Sequence, residues 1–121
     1  MQRNQTTKIG REYEGKVCSY LEQQGMKILE RNYTVRGGEI DIIASDDDFI
    51  YFVEVKFRSV RATDAYSSVG FRKQQRIIKT AYNYLYENDC DLQPRFDVVF
   101  VFNDDGETCF EYYKNAYSST Y

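Results

Sequence analysis

The sequence predicts an α/β layer structure: a mixed central β-sheet of about five strands flanked by two helices. Three observations point there. Periodicity marks a helix, three strands, a second helix and two further strands, in that order. The runs Ile42-Ile43-Ala44 and Phe49 to Val53 are almost continuously apolar, which fits a sheet covered on both faces. The chain has 121 residues, 42% of them hydrophobic and only one of them proline. That is enough for one domain with its own core.

Residues 1–8 are polar and read as a frayed N-terminus, followed by a single domain over 9–113 and a polar, Tyr-rich tail over 114–121. The first helix is expected from about Ile9 to Gln24. Tyr13, Val17, Tyr20 and Leu21 form its apolar face, and Gly25 stops it. Glu14 falls at the edge of that face, where two readings stand open: a side chain snorkelling to water, or one reaching a site. Met26 to Val35 is the first strand, and Gly37-Gly38 is a turn or a close-approach element.

The central stretch, residues 37 to 58, reads as a hairpin with acid on one face. Glu39 and Asp41 share a face of its first strand, and Glu54 and Lys56 share one in its second, while Ile40, Ile42, Val53 and Val55 go to the other side. A two-residue turn at Asp47 and Asp48 sets Asp41 opposite Glu54 and Glu39 opposite Lys56, with Cβ atoms roughly 5 Å apart. Two carboxylates that close repel unless a proton or cation lies between them. A hard divalent ion is a natural solution. Alone, a Glu-x-Lys strand fits a solvated hairpin face. Set in apolar runs, its charges are expensive unless paired or metal-bound.

A polar loop, Ser59 to Ser68, leads to a second helix from about Phe71 to Glu87, with Phe71, Ile78, Ala81, Tyr82 and Leu85 as its core face. Gln74 lies in the middle of that face near the helix N-terminus, placed to meet an anion or a metal-bound water. Lys73 lies off it, facing solvent or phosphate. Arg95 to Phe102 is a strand, Asn103 to Glu107 a turn, and Thr108 to Tyr113 an edge strand.

Charge is unevenly placed. From Lys56 to Lys79 the seven bases Lys56, Arg58, Arg61, Arg72, Lys73, Arg76 and Lys79 meet one acid, Asp64. That segment carries +6, which leaves −9 for the rest of a chain whose total is −3. The cluster is either a solvated face or a phosphodiester-binding zone beside the acids. There is no histidine, so Ser-His and Cys-His mechanisms are excluded, and a zinc site is not expected. Cys18, Cys90 and Cys109 lack a Cys-x-x-Cys spacing and read as reduced thiols. With no apolar signal region and no apolar run long enough to span a bilayer, a cytoplasmic location is expected.

The ordered set of Glu14, Gly37-Gly38-Glu39-Ile40-Asp41-Ile42-Ile43-Ala44, Phe52-Val53-Glu54-Val55-Lys56-x-Arg58, Lys73 and Arg95-Phe96-Asp97-Val98-Val99 resembles the YraN-like family over roughly residues 9 to 102. That family is similar to Holliday-junction resolvases of the PD-(D/E)xK nuclease superfamily. The resemblance implies a restriction-endonuclease-like fold and a Mg2+ (or Mn2+) site on the hairpin. It implies Asp41, Glu54 and Glu14 as metal ligands, Lys56 as the residue that acts on the attacking water, and Gln74, more loosely, as a polar site residue. The function expected is a metal-dependent DNA endonuclease, with Arg58, Arg61, Arg72, Lys73, Arg76 and Lys79 on phosphates. Alternatives are a catalytically inactive nucleic-acid-binding module and an interaction subunit of a DNA-processing assembly. Cutting a junction symmetrically requires a homodimer.

Overall fold

A computed structural model describes residues 2–58 and 69–118. The expected loop from Ser59 to Ser68, with Arg61 in it, lies outside the described residues. The elements are α1 (Gln2–Gln23), β1 (Lys27–Val35), β2 (Gly38–Ser45), β3 (Phe49–Phe57), α2 (Phe71–Glu87), β4 (Gln93–Asp104) and β5 (Glu107–Tyr117). The strands form one sheet in chain order, antiparallel throughout except for the parallel pair β3–β4. A parallel neighbour needs a crossover, and α2 lies within it. The expected mixed five-strand sheet with two helices is what the chain forms.

Each helix covers one face. Val17, Cys18 and Leu21 of α1 pack with Ile42, Ala44, Tyr51, Val53, Val99 and Val101. On the other face Ile77, Ile78, Ala81, Tyr84 and Leu85 of α2 pack with Ile43, Ile50, Phe52, Phe96, Val98 and Phe100. Alternating residues of one strand thus feed two cores. Phe52, Phe96 and Tyr117 extend the second core across β3, β4 and β5 as successive stacked rings, 5.6 and 5.4 Å apart.

Several element limits differ from the expectation. Helix α1 begins at Gln2 rather than Ile9. Strand β5 runs on to Tyr117, where Ala116 and Tyr117 are buried in place of a polar tail. The reason is Phe96, whose ring gives Tyr117 a partner that helical or alternating patterns do not reveal. On α2, Phe71 and Tyr82 are 72% and 43% exposed, and Ile77, Thr80 and Tyr84 take the core positions assigned to them. Between Asp104 and Glu107 the turn residues Asp105 and Gly106 have φ of 50° and 79°, the left-handed pair of a type I′ hairpin.

Asp97 is fully buried on the α1 side of β4. Arg95 donates to it from Nε at 3.0 Å and from Nη2 at 2.9 Å, and Tyr112 donates its hydroxyl. The backbone N–H of Asn115 donates at 2.8 Å. Asn115 has φ of 52° and sits where the β4–β5 register shifts, so Asp97 satisfies the backbone that the bulge leaves over. The Arg95 guanidinium lies 4.3 Å from the centre of the Tyr51 ring. A buried charge with this many partners is structural.

Gly37 and Gly38 do both jobs expected of them. Gly37 turns the chain with φ of 92°. Gly38 admits α2 to the sheet: a Cβ there would lie 1.9 Å from Thr80 Oγ1, 3.2 Å from its Cβ and 3.3 Å from the Arg76 carbonyl. Gly38→Ala is therefore expected to destabilise the fold by about 1–3 kcal/mol through overpacking. Adding Thr80→Ala should recover part of that. Urea unfolding of both variants checks it; an unchanged midpoint for Gly38→Ala would mean that α2 does not rest on Gly38.

Candidate active site

The β2–β3 ladder pairs Ser45 with Ile50, Ala44 with Tyr51, Ile43 with Phe52 and Ile42 with Val53, the register expected from the turn. Asp46 builds that turn. Its Oδ1 accepts from the N–H groups of Asp48 and Phe49, each at 2.9 Å, and its Oδ2 accepts from the Tyr51 hydroxyl. The Tyr51 hydrogen bond comes first among the causes that hold the Asp46 carboxyl below its usual range.

The ladder stops one residue before Asp41. There the Asp41 side chain replaces a backbone acceptor, taking the Val55 N–H on Oδ2 at 2.8 Å. Ile40 then packs on the α2 side with Ile43, while Ile42 packs on the α1 side. The strict alternation that would send Ile40 and Ile42 to one face is broken where the strands part. Asp41, Glu54, Lys73, Arg76 and Gly38 line the resulting cleft, of about 210 Å³.

Glu54 is buried, and its Oε1 is 2.6 Å from Lys73 Nζ and 3.7 Å from Lys56 Nζ. Burial and then the Glu54 charge push the Asp41 carboxyl up to about 7, against the opposing hydrogen bond from Val55. Burial and then the neighbouring Lys73 charge pull Lys56 below the usual lysine range, and Glu54 offsets only part of this. At Lys73 burial acts downward, but the hydrogen bond and charge of Glu54 outweigh it, and the net shift is upward. Two acids and two lysines thus form one cluster, in which Asp41 keeps its proton up to about neutrality.

Glu14 is buried rather than snorkelling. Its Oε1 has no hydrogen-bond partner among the described residues. Burial pushes its carboxyl up, against Asn32 and Arg31, and its charge in turn contributes to the rise of Asp41. Among the described residues no three acidic or cysteine side chains converge closely enough to hold a metal ion. The Asp41–Glu54 pair nonetheless fits a hard divalent cation. Both donors are carboxylates, burial and then the Glu54 charge raise the Asp41 carboxyl, and the Glu14 charge on α1 adds to that rise, so a cation at the pair would relieve it.

Other expected residues lie apart. Gln74 does not line the cleft; its Nε2 donates to the Val69 carbonyl at 2.8 Å, satisfying backbone ahead of the helix. The Arg58 guanidinium sits over the Phe100 ring at 5.1 Å. Arg72 and Lys79 are exposed on α2, whereas Lys73 and Arg76 reach the cleft. Lys73 is the residue whose place was least legible, assigned to phosphate or solvent but found on Glu54. The available signal was its position in the first turn of the helix that follows the Glu-x-Lys strand.

The sequence profile of uncharacterised protein family UPF0102 matches residues 13–101. A UPF0102 protein of Marinobacter nauticus is 44% identical over 103 residues, covering 84% of each chain. One of Carboxydothermus hydrogenoformans is 38% identical over 89% of this chain and 93% of its own. One of Desulforapulum autotrophicum is 38% identical over 96% and 98%. The matched span runs from α1 to β4 and contains Glu14, Asp41, Glu54, Lys56 and Lys73, so the chain belongs to the uncharacterised protein family UPF0102, the YraN-like family.

Proposed function

We propose that the cleft hydrolyses phosphodiester bonds in DNA with a bound Mg2+ or Mn2+ ion. The observation that carries this reading is the buried Asp41–Glu54 pair with Lys56 at 3.7 Å from Glu54, at a cleft that Arg76 also lines. Asp41, Glu54 and Glu14 would hold the ion. A bound ion stabilises charge on the phosphoryl oxygen and makes water more acidic. Lys56, with its ammonium made more acidic by burial and by Lys73, orients water or donates to developing charge. Arg76 would bind a phosphate at the cleft wall, and Lys73, now on Glu54 at 2.6 Å, would share that carboxylate with the ion. No helix among the described residues is long and apolar enough to cross a membrane.

One observation favours a second reading, a nucleic-acid-binding module without chemistry. Lys73 already neutralises Glu54 at 2.6 Å. A cleavage assay over single-stranded, duplex, flapped and four-way DNA, with magnesium and with manganese, separates the two.

Lys56→Met keeps most of the aliphatic stem and removes the charge. It should leave divalent-ion binding, read by calorimetry, within about twofold, and lower cleavage by about 100-fold or more, the scale of losing one transition-state contact. Loss of ion binding instead would make Lys56 a structural counter-charge.

The pH dependence has a definite sign. Asp41 binds its proton more tightly folded, at about 7, than at the ordinary 3.8, so its contribution to stability is full at low pH and is lost as pH rises toward 7. Asp41→Asn retains an acceptor for the Val55 N–H and removes the titration. The melting temperature of the parent should therefore fall between pH 5 and pH 8 more steeply than that of Asp41→Asn, and magnesium at pH 8 should raise the parent only. Parallel pH profiles for the two proteins would show that Asp41 is ionised throughout and is held by lysine alone.

A further inference from the structure

The outer face of α2 carries a pattern that the cleft does not use. Phe71 and Tyr86 are 72% and 88% exposed, and Tyr82 is 43% exposed. At about 100° per residue all three fall within about 60° of one another, on one stripe roughly 22 Å long. The adjoining sector holds Lys79, Arg72 and Arg76, all exposed. The buried residues Ile77, Ile78, Ala81, Tyr84 and Leu85 occupy the arc that borders the stripe on its other side, with Ile78 about 20° from Phe71 on the wheel. Aromatic rings therefore stand in a row with a row of cations beside them. Arg76 belongs both to that cationic row and to the wall of the cleft.

Phe71 and Tyr86 leave most of their ring surface open, room for a flat partner to stack. The charge beside them decides which partner. Glu87 is the single acid of α2, lies at its last residue, and accepts the Tyr33 hydroxyl. A second copy docking this face against itself would set three cations against three cations. A polyanion with flat faces matches both rows: phosphates meet Lys79, Arg72 and Arg76, and bases stack on the rings. Duplex DNA offers the phosphates but keeps its base faces stacked inside.

We propose that the outer face of α2 is a stacking platform for single-stranded DNA, which leads the strand past Arg76 into the cleft. The platform stands on its own geometry. The statement that the strand arrives at a reactive centre rests on the cleavage reading above.

The chain has no tryptophan, so Tyr86→Trp places a single fluorescent reporter on the stripe without disturbing the core. Titration of the 121-residue protein with oligodeoxythymidine, in EDTA, should quench the reporter saturably, with an affinity that falls as salt rises. Phe71→Ala in the same background should weaken binding about tenfold, the scale of losing one stacked base. A duplex of equal charge should leave the emission unchanged. Binding seen by anisotropy without quenching would overturn the proposal. So would equal quenching by duplex, or a signal that depends on protein concentration alone and marks a contact between copies. Adding Asp41→Asn keeps the two readings apart: the platform predicts undiminished quenching in that protein, whatever becomes of cleavage.

Discussion

Two carboxylates set into an apolar sheet repel each other, and the middle of this molecule is arranged around that repulsion. Asp41 and Glu54 face a common cleft under α2, where burial and mutual charge hold the Asp41 proton on to about neutrality. Everything nearby bears on the same imbalance. The backbone ladder gives up an acceptor so that Val55 can donate to Asp41, and Lys73 comes down from α2 onto Glu54. Lys56 loses affinity for its own proton to burial and to the Lys73 charge, and the two acids restore only part of it. Gly38 lets the helix come near enough for this to happen.

Asp97 shows what the same residue type looks like when nothing is left over. It is more deeply buried than Asp41, yet Arg95, Tyr112 and the Asn115 N–H account for its oxygens. One aspartate fastens a bulge; the other, facing Glu54, holds its proton up to about neutrality. Burial alone does not distinguish them. The distinction lies in whether each charge is matched by partners that the fold has fixed in place.

Much of this was legible in the residues. The β2–β3 register follows from the Asp47-Asp48 turn, because a hairpin with a two-residue loop has little freedom to slip. The apolar runs correctly indicate a sheet covered on both faces. The failures are tertiary. Periodicity on α2 cannot tell that Phe71 faces outward, since the ring falls on the margin of the apolar arc and packing decides. The partner of the Gln74 amide, the Val69 carbonyl, comes from backbone outside the helix, which the helical wheel does not show. Lys73 reaches Glu54 from the first turn of α2, a position the sequence shows but whose partner only the packing of α2 on the sheet reveals. Tyr117 stands in a polar tail whose burial depends on Phe96, across the sheet.

The parallel pairing of β3 with β4 has a consequence for how the charges assemble. Strands β2 and β3 meet across a two-residue turn, whereas β4 pairs with β3 only once the chain has travelled through α2. Contacts of short sequence separation close at smaller entropic cost than distant ones. The two acids are therefore brought together by the local hairpin, and the lysine that quiets them is delivered by the long return. Topology makes the acid pair and Lys56 the earlier acquaintances and Lys73 the latecomer, so the hairpin by itself holds one of the two lysines that reach Glu54.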